Sequence, residues 1–268
     1  MSAAVGLATG ACHSLSILDT IDAIAGSGVT GLEIGTPPRH FDLWQSAQIG
    51  AVAERLGRHR LRAVSIHAPF GVGLDLADPQ ERHRHAALEA IGAAARAIKR
   101  LGGRIVVVHP SDLPRHAHDV AARLADSARG LSELARACRQ EDLTLAVESP
   151  LPHLVGGHPD EFAWLLQQVD AAARVCLDTG HTALGRFWHR FLAVSADRLV
   201  HVHVSDNHGH RDDHLPPGDG MLDWADIARS LREVDYGGWL MLELGCPDGG
   251  LREYFRRAVV QGERLLGV

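Results

Sequence analysis

Acidic and histidine residues stand at the ends of several short apolar segments of this sequence. Glu148 ends TLAVE, Asp178 ends RVCLD, His203 lies near the end of LVHVHVS, and Glu243 lies near the end of WLMLEL. Carboxylates combined with an imidazole form a mixed oxygen and nitrogen donor set that suits Mn²⁺, Mg²⁺, Co²⁺ or Zn²⁺. Each residue alone is more often a helix cap or a salt-bridge partner than a ligand. Their recurrence on successive segment ends predicts a site for a divalent metal ion, whose identity the residue types leave open.

Two further histidines follow apolar runs and stand beside or near proline, His67 in IHAPF and His109 in VHPSD. Each is either a hydrogen-bonded core histidine or a ligand, and the residue types do not separate these roles. Together with Glu148 they could complete a second metal site.

The most polar segment of the chain is HVSDNHGHRDDHLPPGDGMLDW. Within it, Asp212 and His214 are separated by one residue, and His181 in the earlier segment DTGH could join them. A His/His/Asp set is of a kind that zinc favours. The sequence therefore predicts one divalent ion per chain and leaves room for as many as three.

These side chains need elements that bring them to one place. Short β-rich runs alternate with longer stretches of helical spacing along the whole chain, which is typical of βαβ units. The predicted strands are 4–8, 31–35, 62–67, 104–109, 144–148, 174–178, 199–205 and 239–244. Eight parallel strands joined by helices predict an α/β fold, a single (β/α)₈ TIM barrel that occupies residues 1–268 as one domain.

The alternative fold is an open doubly wound sheet, which usually carries a glycine-rich phosphate loop after its first strand. The segment GVGLDL at 71–76 has too few glycines for a dinucleotide fingerprint and continues into DLADPQ. In a barrel, by contrast, the active site is built at the carboxyl ends of the strands, where the candidate ligands lie.

Three further residues are candidates for contact with a substrate. Arg211 lies in the polar segment, and Trp224 follows it closely enough to line a pocket. Glu33, in GLEIG, is the third, although a structural role inside the barrel is favoured.

Composition limits the possible partners. The chain has 268 residues, 46% of them hydrophobic and 22% charged, as in a soluble globular protein. No window approaches the roughly 18 uninterrupted apolar residues of a membrane span, and the N-terminus does not resemble a secretory signal. The net charge is −6 and the arginines are dispersed, which weakens the case for a nucleic-acid partner. Lys99 is the one lysine, and its helical context argues against Schiff-base chemistry.

The four cysteines are far apart in the sequence and form no CxxC pair: Cys12, Cys138, Cys176 and Cys246. A disulfide framework would be unusual in a chain of this size, so none is expected. A reducing cytoplasm is the simplest location. A homo-oligomer is left open.

Eight segments, in order, resemble the xylose isomerase-like TIM barrel superfamily: GLEIG, SIHAPF, VVVHPSD, LAVESP, CLDTGH, HVHVSDN, PPGDGMLDWADI and LELG. That superfamily contains sugar isomerases and epimerases as well as endonuclease IV of AP endonuclease family 2. In both branches the resemblance implies a metal held at Glu148, Asp178, His203 and Glu243. In ketose epimerases the matching glutamates also act on the substrate.

The two branches imply different reactions. Endonuclease IV holds three zinc ions with additional ligands that match His67, His109, His181, Asp212 and His214. The first strand, AVGLATGACHSL, lacks the endonuclease's His-Val-Ser and Gly-Gly pattern, and GTPPRHFD looks more like sugar-enzyme relatives. Only the Asp-x-His pair discriminates strongly between the branches.

The favoured hypothesis is a metal-dependent isomerase or epimerase in carbohydrate metabolism, acting on a small sugar or sugar phosphate. Glu148 and Glu243 would be its catalytic residues, moving a proton beside the carbonyl through a metal-stabilised enediolate. The alternative is a trinuclear zinc phosphodiesterase that acts on DNA or on a smaller phosphoester. A nucleic-acid partner belongs to the alternative alone, and no membrane partner is expected.

Overall fold

Eight short parallel strands close into a barrel in a computed structural model that describes residues 3–268, apart from the side chain of Ala11. Each strand pairs with its neighbours in chain order, and β8 pairs with β1. The strands are β1 Ala4–Ala8, β2 Gly31–Ile34, β3 Arg62–His67, β4 Ile105–Val108, β5 Thr144–Glu148, β6 Arg174–Asp178, β7 Leu199–Val204 and β8 Trp239–Leu242. The predicted (β/α)₈ TIM barrel is confirmed.

Helices surround the strands and bury one face against them. In chain order they are α1 Ile17–Ile24, α2 Ser46–His59, α3 Glu81–Arg100, α4 Val120–Gln140, α5 Pro159–Gln168, α6 Thr179–Leu184, α7 Trp188–Ser195, α8 Trp224–Glu233 and α9 Leu251–Leu266. In α2 the buried residues Ile49, Val52 and Leu56 are three and four positions apart, which is the spacing of one helix face. No helix within residues 3–268 is both long and apolar enough to cross a membrane.

Two of the candidate ligands lie just beyond a strand instead of within one. The sequence predicts strands to 109 and to 244, whereas β4 ends at Val108 and β8 at Leu242. His109 and Glu243 are therefore the first residues after their strands. Glu243 still donates its backbone N–H to the carbonyl of Val204 at 3.1 Å, so the barrel continues to fix its backbone.

Barrel closure overturns the expectation about cysteine. Cys12, in a short 3₁₀ helix after β1, forms a disulfide with Cys246, which follows β8. The two residues are 234 positions apart, but β1 and β8 are neighbours, with Leu7 opposite Leu242. Sequence spacing could not reveal this pair because it depends on the closure of the barrel. Cys138 and Cys176 are free and buried.

Candidate metal centre

Four side chains converge at the carboxyl ends of β5 to β8, and we call them the core cluster: Glu148, Asp178, His203 and Glu243. One ligand atom from each lies within 4.8 Å of the others. His203 Nδ1 is 3.1 Å from Glu243 Oε2, 3.2 Å from Glu148 Oε1 and 3.9 Å from Asp178 Oδ2. The structure thus brings together the four residues that the sequence predicts as metal ligands.

Asp178 shows why this cluster suits a cation. Its Oδ1 accepts the backbone N–H of His181 at 2.7 Å, which caps α6. Its Oδ2 is buried and has no hydrogen-bond partner among the described residues. Burial raises the pKa of Asp178 to about 6, and the carboxylates of Asp212, Glu148 and Glu243 add to the rise. A divalent cation would offset the cost of burying these oxygens.

Glu33 lies beneath the core cluster, inside the barrel, and contacts its histidine. Glu33 Oε1 is 2.9 Å from His203 Nε2, while Oε2 accepts a hydrogen bond from Ser65 at 2.7 Å. Burial alone would raise the pKa of Glu33, but the charge of His203 and a hydrogen bond from His201 hold it well below its usual value. Glu33 Oε1 and His203 Nε2 do not meet hydrogen-bond geometry, but the anionic carboxylate still favours a proton on Nε2. A metal would therefore bind His203 through Nδ1, after displacing the proton that this nitrogen carries in the charged imidazole.

His201 is a site residue that the sequence analysis missed. It is fully buried, and its Nε2 lies 3.1 Å from Glu33 Oε2 and 3.3 Å from Ser65 Oγ. The signal was present in the sequence, because alternate residues of a strand share a face and His201 stands two positions before His203 in LVHVHVS. His201 extends the polar network of Glu33 deeper into the barrel.

His67 and His109 meet the core cluster through Glu148. Their Nε2 atoms lie 3.1 Å and 3.2 Å from Glu148 Oε2, and their ring centroids are 4.9 Å apart. Burial would lower the pKa of His109, but the charge of Glu148 raises it to about 9. Burial would raise the pKa of Glu148, but the charges of His203 and His109 keep it well below its usual value.

Three further predicted ligands form what we call the rim cluster: His181, Asp212 and His214. Asp212 Oδ2 lies 3.2 Å from His181 Nε2 and 2.7 Å from His214 Nε2. Burial would lower the pKa of His214, but its hydrogen bond to Asp212 and nearby carboxylates raise it to about 10. Within residues 3–268, these three residues are not among the groups whose ligand atoms all lie within 4.8 Å of one another. The carboxylate of Asp212 lies between the imidazoles of His181 and His214.

Asp206 organises the long loop between β7 and α8, and the sequence analysis gave it no role. Its carboxylate accepts hydrogen bonds from Gly218 N at 2.8 Å, Leu222 N at 3.1 Å and Trp224 Nε1 at 2.8 Å. Trp224 is buried, and its hydrogen bond to Asp206 helps to hold the loop in place. Arg211 pairs with Asp213, and 84% of the Arg211 side chain is exposed. Substrate contact by Trp224 or Arg211 stays a prediction.

Comparison with known proteins agrees with this architecture. Residues 21–259 match the family model described as xylose isomerase-like TIM barrel. The uncharacterized protein MJ1311 of Methanocaldococcus jannaschii is 24% identical over 237 residues, which cover 85% of this chain and 79% of that protein. D-psicose 3-epimerase of Enterocloster bolteae is 25% identical over 154 residues, which cover 56% of this chain and 49% of that enzyme.

A solved structure described as a D-tagatose 3-epimerase-like protein has the same fold. It superposes with a TM-score of 0.83 at 23% identity, covering 98% of this chain and 96% of that one. At this level of identity the likeness establishes the fold, and the chemistry must be inferred from the site itself.

Proposed function

This chain belongs to the xylose isomerase-like TIM barrel family, and from that premise we propose that it is a metal-dependent epimerase or isomerase of a sugar or sugar phosphate. One observation carries the proposal: His203 Nδ1 lies 3.2 Å from a carboxylate oxygen of Glu148 and 3.1 Å from one of Glu243. Two carboxylates beside one imidazole nitrogen can hold a cation together with it. The same carboxylates can then exchange protons with a substrate bound to that cation. The epimerase names of the relatives support the same class.

The residues of the core cluster divide the work. Asp178 and His203 are ligands that do not exchange protons with the substrate. A divalent cation held here would supply Lewis-acid polarisation of the substrate carbonyl and stabilise the negative charge that develops beside it. One of Glu148 and Glu243 takes the proton from the carbon next to the carbonyl, and the other returns a proton. Return to the opposite face of the same carbon gives an epimer, and return to the neighbouring carbon gives an isomer.

Burial matters for this exchange. Glu148 is fully buried and 19% of the Glu243 side chain is exposed, so Glu243 is the more accessible glutamate. Burial would raise the pKa of Glu243, but the charge of His203 lowers it, so both carboxylates favour the ionised form. One of them must carry a proton when it acts as the donor.

Deuterium exchange tests the proposal. Metal-stripped protein is reconstituted with Mn²⁺ and incubated in D₂O with a panel of free ketoses and their phosphate esters. We expect deuterium to appear on the carbon beside the carbonyl of at least one sugar, and chelator to abolish its uptake. Complete absence of exchange across the panel, with metal demonstrably bound, would contradict the proposal.

A second candidate, a trinuclear zinc phosphodiesterase, is favoured by one observation. His67 and His109 both face Glu148, and Asp212 lies between His181 and His214, as the alternative ligand set requires. The open spacing of the rim cluster weighs against it. Metal analysis of the purified protein separates the two, because one tightly bound ion per chain supports the sugar enzyme and three zinc ions support the phosphodiesterase.

A further inference from the structure

Phe70 is an exposed aromatic residue that lies against the histidines of the candidate site. It follows β3, and 51% of the residue is accessible to solvent. Its ring stacks on His109 with centroids 4.3 Å apart and an interplanar angle of 29°, and its centroid is 5.1 Å from that of His67. Both imidazoles contact Glu148 Oε2, at 3.2 Å and 3.1 Å. One histidine ring therefore separates Phe70 from a proposed acid–base residue.

The backbone after Phe70 forms a tight turn that fixes where the ring lies. Leu74 N donates to Gly71 O at 2.9 Å, and the two segments form an isolated antiparallel bridge. Gly71 and Gly73 have φ values of 110° and 80°, which favour glycine. The turn holds Val72 fully in solvent, two positions from Phe70.

Asp75 then fastens this loop to the next one. Its buried carboxylate accepts hydrogen bonds from Ala77 N at 2.6 Å and from Ser111 Oγ at 3.1 Å, and also from the backbone of Asp112. Ser111 and Asp112 belong to the loop after β4 that begins with His109. The loop of Phe70 and the loop of His109 are thus joined behind the stacked rings, which presents the free side of Phe70 in a defined position.

We propose that Phe70 is a specificity-determining residue whose exposed ring packs against a C–H face of the bound sugar. This inference rests on the proposed function and narrows its substrate class to neutral sugars. An aromatic ring offers apolar contact area to carbon-bound hydrogens, whereas its negative face disfavours a phosphate dianion.

The test compares Phe70→Ala and Phe70→Leu with Phe70→Tyr, and uses Val72→Ala as the matched control in the same turn. Binding of free ketohexoses, ketopentoses and their terminal phosphate esters to Mn²⁺-loaded protein is measured by calorimetry, and turnover is measured separately. We expect Phe70→Ala to weaken ketose binding and raise KM by about 10-fold with little change in kcat, on the scale of one lost apolar contact. Phe70→Leu should fall between the two. Phe70→Tyr keeps the aromatic ring and should restore most of the ketose affinity, and Val72→Ala should match the parent protein.

The outcomes separate this inference from the proposed function. Equal ketose affinity in the parent and Phe70→Ala proteins, or parent preference for the phosphate esters, would overturn the role of Phe70. Phe70-dependent binding without any turnover would support that role and refute the proposed reaction. A parent protein that binds metal but no ketose would overturn both. Metal stoichiometry, measured for every variant, must stay unchanged if Phe70 acts on the substrate and not on the metal.

Discussion

The core cluster and the rim cluster contain similar residue types but are built differently. The core donors lie on or directly after barrel strands, and Glu148, Asp178 and His203 are fully buried. In the rim cluster, the side chains of Asp212 and His214 are 16% and 29% exposed and belong to the long loop after β7. Strand ends hold their side chains through the hydrogen bonds of the whole barrel, whereas a loop donor depends on its own local contacts.

His214 shows what the loop must do to keep a donor in place. Its φ of 49° lies in the left-handed region, which is uncommon for residues with a side chain. Its Nδ1 lies 3.0 Å from the backbone carbonyl of Glu243, and its own carbonyl accepts Gly245 N at 2.7 Å. The rim cluster is therefore tied to the segment that carries Glu243. His214 is positioned by backbone contacts with the segment after β8 and does not lie on a barrel strand.

The largest effect is expected from Glu243→Gln in the core cluster. The substitution preserves the size of the side chain but removes the negative charge of a proposed metal ligand and proton carrier. We expect a loss of about 10²–10⁴-fold in kcat for sugar turnover, on the scale of general acid–base catalysis. Steady-state kinetics and deuterium exchange provide the measurement, and Glu233→Gln on the exposed side of α8 is the control. Turnover within a few-fold of the parent would argue that Glu243 moves no proton.

An intermediate effect is expected from Glu33→Gln, which alters the support of the core cluster without removing a ligand. The neutral amide no longer favours a proton on His203 Nε2, so Nδ1 becomes a poorer donor. Metal affinity should fall by about 10–100-fold, as is typical when a group that orients a metal-binding histidine is lost.

Calorimetric titration of the apo protein with Mn²⁺ measures this change without reference to activity. Ser65→Ala removes one hydrogen bond to Glu33 but leaves its charge, and should have a smaller effect. If Glu33→Gln and the parent protein bind Mn²⁺ equally, Glu33 serves the packing of the barrel alone.

The smallest effect is expected from His214→Ala in the rim cluster. If the site holds one metal ion in the core cluster, activity should fall by less than about 10-fold. His214 contacts Glu243 through the backbone carbonyl, and the hydrogen bond from Glu243 N–H to the carbonyl of Val204 still fixes that backbone in the variant. Kinetics at saturating Mn²⁺ give the answer. Near-total loss of activity, together with a drop in bound zinc, would indicate that the rim cluster also binds an essential metal ion and would favour the phosphodiesterase.

The core cluster was accessible from sequence because two simple rules act together. Side chains alternate along a strand, and the carboxyl ends of parallel strands meet at one mouth of a barrel. Glu148 and Asp178 are each the last residue of a strand, so the strand boundaries alone predict their proximity. His201 obeys the same alternation two positions before His203, but it lies in the middle of β7, so a search confined to strand ends does not select it.

Other features depend on contacts that no local pattern encodes. The Cys12–Cys246 disulfide exists because β1 closes against β8, and the stacking of Phe70 on His109 requires two loops to meet. Likewise, Asp206 accepts the indole N–H of Trp224, which joins the start of α8 to the loop after β7.

The sequence by itself determined the barrel and the residues at its strand ends, because hydrophobic periodicity and strand direction are local properties that closure merely assembles. The tertiary structure decided which of those residues lie close enough to hold one ion together, that Glu33 lies against His203, and that the rim cluster stays more open than the core. These outcomes depend on distances of a few ångströms between residues far apart in the chain, which are set by barrel closure and loop packing.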